Sequence, residues 1–312
     1  MLGRALVLQL AVLAAALIVG LTGALAAVRV SAPPPALPSL VLTTTDFLPG
    51  AAVGTQSASK ISGADLYVRT FKPGVRVSGA PLVGVISIAI LDPDASTAAA
   101  DYADFDGAAR SKAGRLALAK SWANDFVKGY NSGLKAKKRM KLLQVVAGAP
   151  TELGSAAVRL PITIKTNKGT VKLWFEATQT DRAVAIIEII SPFNRSLSTA
   201  DASKALTAEQ QHLTDAFTVA NTAVPTISGT PTQGQVLSVD EGTWTGAPST
   251  FTYAWSRCDA ATGTTCVPIG GATTKTYTVT PADVGSKLVV TVTGANSVSN
   301  KPAVSAPTAA VT

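Results

Sequence analysis

The chain has 312 residues, of which 47% are hydrophobic and only 15% charged, and its formal net charge is +8. This composition excludes a globally disordered chain, and the length favours two folded units over one. The charge is uneven, because region 36–220 holds 21 basic and 15 acidic residues whereas 221–312 holds four of each. The positive charge therefore belongs mainly to the middle of the chain.

The first segment is apolar. Ala5–Val28 is a run of 24 uncharged residues, preceded only by Arg4 and the α-amino group. A spanning helix needs about 20 apolar residues, a signal-peptide core runs about 7–15, and Ala24-Leu25-Ala26 matches a signal-peptide cleavage site. Residues 1–30 are therefore predicted to be a signal peptide or an N-terminal membrane anchor. Both outcomes place the rest of the protein outside the cytoplasm.

A proline-rich linker follows at residues 31–39. It reads SAPPPALPS, with four prolines in nine positions. Such a stretch favours an extended, semi-rigid spacer. We expect it to hold the first folded unit away from the membrane or the cleavage site.

Region 40–221 alternates between strand and helix patterns. Its apolar runs predict strands at 65–71, 82–91, 142–147, 156–164, 170–178 and 183–190, and helical segments at 95–130 and 198–221. Leu118, Trp122, Phe126 and Tyr130 form one apolar stripe, while Gly107 and Gly114 divide the first helical segment. The order predicts an α+β domain with an antiparallel sheet and helices on one face.

Region 222–312 shows short strands separated by turn residues. Tyr253/Trp255, Tyr277/Val279 and Leu288/Val290/Val292 alternate as in half-buried strands. The segments PTISGT (225–230), GQVL (234–237), GTW (242–244), YAWSRCD (253–259) and ADVG (282–285) resemble bacterial Ig-like repeats of cell-surface proteins. The resemblance implies an Ig-like β-sandwich whose core anchor is Trp255. Asn296–Ser299 departs from it, because many such repeats carry a turn glycine there.

Cys258 and Cys266 are the two cysteines of the chain. Their spacing is too short for the usual bridge between two sheets, so a clip between adjacent strands is expected. A metal pair and two free thiols are the alternatives. Export and the lack of a nearby histidine favour the disulfide.

The middle domain shows a second resemblance. Its opening TTTDFLPG (43–50) and the spacing of Tyr67, Arg69 and Phe71 are similar to exported actinobacterial lipoprotein and sensor-type domains with a PsbP-like fold. These domains have no shared catalytic residues that could be assigned here.

Catalytic and metal motifs are weak. His212 is the one histidine, and no H-E-x-x-H, C-x-x-C, G-x-S-x-G or P-loop occurs. Two S-x-x-K matches, Ser57/Lys60 and Ser132/Lys135, lack the partner motifs of penicillin-binding enzymes. A calcium loop would need a carboxylate at its twelfth position. Counted from Asp104, that position is Arg115, so the acidic residues Asp101, Asp104 and Asp106 do not continue as such a loop. We predict no catalytic, metal or cofactor site.

One basic block stands out. Ten basic residues and only Asp125 occupy 110–141, and the block itself consists of Lys135, Lys137, Lys138, Arg139 and Lys141. It lacks the interleaved aromatics of nucleic-acid-binding segments, and export removes that partner. It is either an ordinary solvated face or a contact for an anionic envelope polymer or lipid headgroups.

Together these features predict a non-catalytic extracytoplasmic bacterial protein that is secreted or anchored to the membrane. Its α+β domain would bind a ligand or partner, and its Ig-like module would act as a spacer or adhesion unit. One alternative is a sensor-type domain with a lipid or small-molecule pocket between the helix at 115–130 and the sheet. The other is a hydrolase that gathers His212 with carboxylates and a serine.

Overall fold

The computed structural model describes most of the chain from Leu37 onward. The described residues are 37–43, 46, 53–61, 63–71, 76–77, 80–81, 84–131, 134–154, 156–191, 194 and 199–312. The predicted export segment 1–30, residues 31–36 of the predicted linker and most of the TTTDFLPG stretch lie outside them. Among the helices of the described part, none combines the length and the apolar character that a membrane crossing requires.

The chain divides into two compact units, Met1–Leu213 and Thr214–Thr312. The predicted junction at 221/222 lies inside the second unit, within a strand that covers Ala220–Ala223. That strand pairs Ala220 with Thr245 and Asn221 with Trp244. Residues 214–221 are therefore part of the second unit rather than a connection to it.

An antiparallel sheet organises the first unit. The described strands are β1 (Val53–Ile61), β2 (Ala64–Phe71), β3 (Arg76–Val77), β4 (Ala80–Pro81), β5 (Gly84–Leu91), β6 (Leu142–Ala147), β7 (Thr151–Glu152), β8 (Ala157–Thr166), β9 (Gly169–Thr180) and β10 (Ala183–Ile190). The sheet runs in the order β1-β2-β5-β10-β9-β8-β6, with β7 also on β8, while β3 and β4 pair with each other. The predicted meander is confirmed as β6-β8-β9-β10, and β6 lies at an edge.

The two helices between β5 and β6 are α1 (Ala95–Arg110) and α2 (Lys112–Asn131). Asp94 caps α1 by accepting the Thr97 N–H at 2.8 Å. The break falls at Ser111 rather than at a glycine, because the Ser111 hydroxyl accepts the Gly114 N–H at 2.9 Å and so starts the second helix. Gly114 permits this tight turn, since a Cβ there would lie 2.4 Å from the Ala108 carbonyl oxygen.

Both faces of the sheet are covered, which corrects the prediction of helices on one face. Trp122 and Phe126 of α2 pack with Ile88 of β5 and Ile186 of β10 on one face. On the opposite face, helix α3 (Thr199–Phe217) packs Leu206 into a cluster with residues of β2, β5 and β10. The reason lies in the central strands: every residue of β10 is buried, and a strand that is apolar on both sides needs two covering layers.

A segment near the N-terminus also covers the α3 face. This strap, residues 37–43, begins with the 3₁₀ turn Leu37–Leu40, and Leu37 and Leu42 are fully buried. Arg69 of β2 donates to the Leu42 carbonyl at 2.7 Å, and the Leu42 N–H donates to the Ser87 hydroxyl at 3.0 Å. The predicted linker 31–39 therefore loses its last three residues to the folded unit.

The second unit is an antiparallel β structure. Its strands are β11 (Ala220–Ala223), β12 (Thr226–Ser228), β13 (Val236–Asp240), β14 (Thr243–Thr245), β15 (Thr250–Cys258), β16 (Cys266–Pro268), β17 (Thr276–Thr278), β18 (Lys287–Ala295) and β19 (Asn300–Val304). They pair as β16-β15-β18-β19, β12-β13-β17 and β11-β14. Trp255 is buried in one core with Tyr277, Val290 and Val292, as the alternation predicts.

Two local features of this unit were uncertain from the sequence. The predicted disulfide is confirmed: Cys258 and Cys266 lie opposite each other on β15 and β16 and are bonded. The final hairpin forms without a turn glycine, because the Asn296 side-chain oxygen accepts the N–H groups of Val298 and Ser299, each at 2.9 Å. An asparagine side chain thus stabilises this turn in place of a glycine.

Candidate anion-binding surface

The basic loop, residues 135–141, connects α2 to β6. Its centre is a 3₁₀ turn, Ala136–Lys138, in which the Lys138 N–H donates to the Lys135 carbonyl at 2.9 Å. All five predicted contact residues, Lys135, Lys137, Lys138, Arg139 and Lys141, are exposed. The loop therefore presents five positive charges to solvent within seven positions.

Hydrogen bonds hold both ends of this loop. The Asn131 side chain accepts the Met140 N–H at 2.6 Å and donates to the Met140 carbonyl at 2.9 Å. Asn167, in the β8–β9 turn, accepts the Lys141 N–H at 2.7 Å, and its own N–H donates to the Lys141 carbonyl at 3.2 Å. Met140 is buried between these anchors. The backbone of the loop is thereby fixed at both ends, and the Arg139 side chain donates a further hydrogen bond to the Leu134 carbonyl at 3.1 Å.

The charge of the basic loop is not compensated by the described carboxylates, none of which forms an ion pair with its five side chains. Arg110, from the same basic window, differs. Its guanidinium lies 2.6 Å from both Asp106 and Glu152. In the sequence, Arg110 and the basic loop belong to the same basic window, 110–141. In the structure, Arg110 at the end of α1 is neutralised by two carboxylates, whereas the cluster after α2 is not.

Two apolar side chains lie exposed beside the basic loop. Leu143 and Val146 of β6 have 66% and 44% of their surface exposed. The run LLQVVA was predicted only as a strand, and its exposure follows from the position of β6 at the sheet edge. The register places Gln144 opposite Lys165 on β8, and Lys165 is also exposed. This edge of the first unit therefore exposes both apolar and basic side chains.

His212 belongs to a different cluster, on the α3 face. Its Nε2 lies 2.8 Å from Asp46 Oδ2, and the Thr43 hydroxyl donates to the same oxygen at 2.9 Å. Partial burial pushes the pKa of Asp46 upward, but the Thr43 N–H and His212 hold that pKa below its ordinary value. The sequence offered no sign of this pair, because its members are 166 positions apart.

A serine and a carboxylate lie on the same face, but they pair with each other. The buried Ser87 hydroxyl is 2.9 Å from Glu209 Oε1. Burial raises the pKa of Glu209 well above its ordinary value, opposed by its Ser87 hydrogen bond. A nucleophilic serine needs a general base within hydrogen-bond reach, and the hydrolase alternative assigned that role to His212. In the described residues His212 bonds Asp46 rather than Ser87, so this cluster does not favour the hydrolase alternative.

The other motifs that were weighed for chemistry are not assembled into a site among the described residues. Lys60 of one S-x-x-K match lies 2.7 Å from Asp65, and Ser132 of the other falls outside the described residues. In the part of the chain that the structure describes, no group of three His, Cys, Asp or Glu side chains is arranged to hold a metal ion. The sensor-type alternative places a ligand pocket between α2 and the sheet. In that region the side chains of Trp122, Phe126 and Met140 are at most 2% exposed.

Sequence reasoning missed two buried carboxyl groups of the sheet. Glu188 of β10 is fully buried and accepts the Trp122 indole N–H at 3.0 Å, and burial raises its pKa to about 8 against that hydrogen bond. Glu176 of β9 is paired with Arg159, yet burial raises its pKa to about 7. The detectable signal was a single glutamate inside the otherwise apolar run 183–190.

Comparisons with known proteins give no family. No family model matches the chain, and no curated protein does. The extracellular domain of PknH from Mycobacterium tuberculosis aligns at 11% identity over 56% of this chain and 94% of that domain, with a TM-score of 0.36. A STAR-related lipid transfer protein fragment from Xanthomonas axonopodis aligns at 12% identity over 53% and 99%, with a TM-score of 0.21.

A Pseudomonas aeruginosa protein of unknown function is the third similar structure. It aligns at 18% identity over 51% of this chain and 93% of that protein, with a TM-score of 0.20. Similarities of this size carry no argument about the fold or the function of this chain. A functional conclusion has to come from the chain's own residues.

Proposed function

We propose that this protein is an exported, non-catalytic bacterial surface protein whose first unit binds an anionic component of the cell envelope through the basic loop. The observation that carries the proposal is the geometry of the loop: five exposed cations on a backbone fixed by Asn131 and Asn167. Such a cluster attracts polyanions through long-range electrostatics that salt screens over about 8 Å.

Export is supported by two independent features. The uncharged run Ala5–Val28 has the character of a signal peptide or an anchor. The Cys258–Cys266 disulfide is typical of an oxidising compartment, since thiols are kept reduced in the cytosol. An oxidised pair in the purified native protein would support export, and two free thiols by mass spectrometry would contradict it.

The second unit is proposed to be an Ig-like spacer or adhesion module. Its motifs, its antiparallel pairing and the buried Trp255 fit that family. Its charged residues are balanced, four basic against four acidic, so electrostatic binding is assigned to the first unit. Deleting 218–312, which leaves helix α3 complete, should then leave binding of the polyanion by the first unit intact.

The test is salt-dependent binding by the chain from Ser31 onward. This chain keeps every residue that the structure describes and lacks the apolar segment, and circular dichroism checks that it is folded. Binding to phosphatidylglycerol vesicles and to soluble polyphosphate is measured at low and high salt. The triple variant K135E/K137E/K138E should weaken binding at least tenfold, since each cation near an anionic surface contributes about 1 kcal/mol.

A matched control carries the same change in net charge. Lys112, Lys204 and Lys301 are exposed and lie outside the basic loop. The variant K112E/K204E/K301E should lose much less binding than the loop variant. The proposal is wrong if the unmodified chain binds neither probe at low salt, or if both triple variants bind equally.

A further inference from the structure

We infer that the anionic component is a lipid bilayer, and that Leu143 and Val146 enter its headgroup region while the basic loop contacts the phosphates. The inference rests on the proposed function and names its partner. A soluble polyanion would be bound by the cations alone. The surface observed here has an apolar part as well, and that part distinguishes the two partners.

The apolar part is adjacent to the charges in the chain and in the sheet. Leu143 follows Lys141 by two positions, and both side chains are exposed. Val146 lies opposite Thr163 on β8, and Thr163 lies opposite Lys172 on β9. Directly opposed residues of a sheet have Cβ atoms about 5 Å apart, so Val146, Thr163 and Lys172 lie side by side in one row across the sheet.

The combination fits a membrane interface. A peripheral site gains free energy from burying apolar side chains among the headgroups and from cations near anionic lipids. Leaving a leucine two-thirds exposed forgoes the transfer free energy of that side chain, whereas insertion at an interface recovers part of it. Contact with a soluble phosphate polymer would bury little of Leu143. The observations therefore favour the lipid surface.

Pairing with a strand of a second copy is the rival use of this edge. β6 is the last strand on its side of the sheet, so its outer backbone groups could in principle accept another strand. However, its register shifts between Leu142 and Gln144, and such an irregularity protects an edge against addition of a strand. The positive charge of the adjacent Lys141 also disfavours the addition of a strand.

The chain length before the first unit makes contact with the bilayer geometrically accessible. Eight residues, 29–36, separate the apolar run from Leu37, which is fully buried in the strap. A chain of that length spans at most about 30 Å. If the apolar run stays in the membrane, the first unit stays close to it, and a weak surface site then acts at high effective concentration.

The experiment compares two apolar pairs in the chain from Ser31 onward, so that the N-terminal apolar run cannot itself carry binding. The test variant is L143S/V146S. The control is V267S/V304S, in the second unit, where Val267 and Val304 are 66% and 51% exposed. Each protein is titrated with vesicles of equal parts phosphatidylglycerol and phosphatidylcholine, with pure phosphatidylcholine vesicles, and with soluble polyphosphate.

The expected result is selective. L143S/V146S should bind the anionic vesicles about tenfold more weakly than the unmodified chain, because it removes both apolar side chains that would be buried among the headgroups. Its affinity for polyphosphate should not change, V267S/V304S should behave as the unmodified chain, and neutral vesicles should bind poorly. Circular dichroism confirms that each variant is folded.

Two results would overturn the inference while leaving the proposed function standing: binding of polyphosphate without binding of anionic vesicles, or equal vesicle binding by L143S/V146S and its control. A stable dimer that L143S/V146S dissociates would also overturn it, because the edge would then belong to a second copy. Failure of the proposed function is distinguishable, since K135E/K137E/K138E would then retain binding to both probes.

Discussion

The two units bury carboxyl groups in opposite ways. Asp283 of the second unit is fully buried and accepts hydrogen bonds from the Tyr277 hydroxyl, the Thr280 N–H and the Thr280 hydroxyl, each at 2.7 Å, and from Arg257. Glu188 of the first unit is equally buried but accepts one indole N–H, and in the described residues its Oε1 has no hydrogen-bond partner.

Desolvation and the number of hydrogen-bond donors together set the sign of the pKa shift. Burial alone pushes both pKa values upward, because it disfavours the charged form. At Asp283 the four donors reverse this and hold the pKa below its ordinary value. At Glu188 one donor is not enough, so the pKa is about 8. The result is an ionised carboxylate at Asp283, where four donors surround it, and a carboxylic acid that stays neutral up to about pH 8 at Glu188.

The largest expected effect is a pH dependence of the first unit. Glu188 has a folded pKa of about 8 and an ordinary value of 4.5, so the unfolded state loses its proton first. Stability contributed by the protonated group is fully present below pH 4.5 and is lost as pH rises toward 8. At about 1.4 kcal/mol per pH unit, the loss approaches 4–5 kcal/mol. Urea unfolding between pH 5 and 8 measures it.

The variant E188Q isolates this residue, because glutamine does not titrate. Its unfolding free energy should fall less steeply with pH, because about one proton fewer is released on unfolding. Glu176 and Glu209, whose pKa values are also raised, should still make the free energy fall as pH rises. E152Q is the control, since the Glu152 side chain is 66% exposed. Equal slopes for E188Q and the unmodified chain would contradict the assignment.

The second-largest effect is expected when the Asp283 carboxylate is removed. D283A removes the acceptor shared by Tyr277, Thr280 and Arg257, which leaves buried donors without a partner. We expect the second unit to lose about 3 kcal/mol of unfolding free energy. Trp255 fluorescence during urea unfolding reports the loss. D240A removes an exposed aspartate of the same unit and should cost less, so equal losses would argue against a special role for Asp283.

The third effect asks whether the second unit depends on its covalent clip. C258S/C266S removes a crosslink that closes a loop of about nine residues, and loop-closure entropy predicts a loss of about 2–3 kcal/mol. Only the second unit should be affected. Differential scanning calorimetry with two transitions would show one displaced and one unchanged, whereas a displacement of both would mean that the units unfold together.

The smallest effect concerns the ordering of the basic loop. N131A removes both hydrogen bonds to Met140 and should destabilise the first unit by about 1–2 kcal/mol. Hydrogen exchange at Met140 and Lys141 should accelerate. N124A, at an exposed position of the same helix, is the control. If exchange is unchanged in N131A, the loop is ordered by other contacts.

Local patterns predicted a large share of the fold. The apolar runs located β5, β6, β8, β9 and β10 within a few residues, and the period of the stripe with Trp122 and Phe126 located α2. The one pair of cysteines located the disulfide. These predictions succeed because periodicity and spacing are properties of neighbouring residues. The strand β1 and the capping role of Ser111 were missed, since neither has a strong local signature.

The sequence by itself determined the type of most elements, the burial of Trp255 in a core and the location of the basic block. It also supplied the hypothesis of an export signal. Tertiary structure alone decided that both faces of the first sheet are covered and that His212 bonds Asp46. It also decided that Glu188 is enclosed by apolar neighbours and that β6 lies at an edge with Leu143 exposed. The physical reason is distance in the chain: burial, pKa and partner choice depend on residues that only folding brings together.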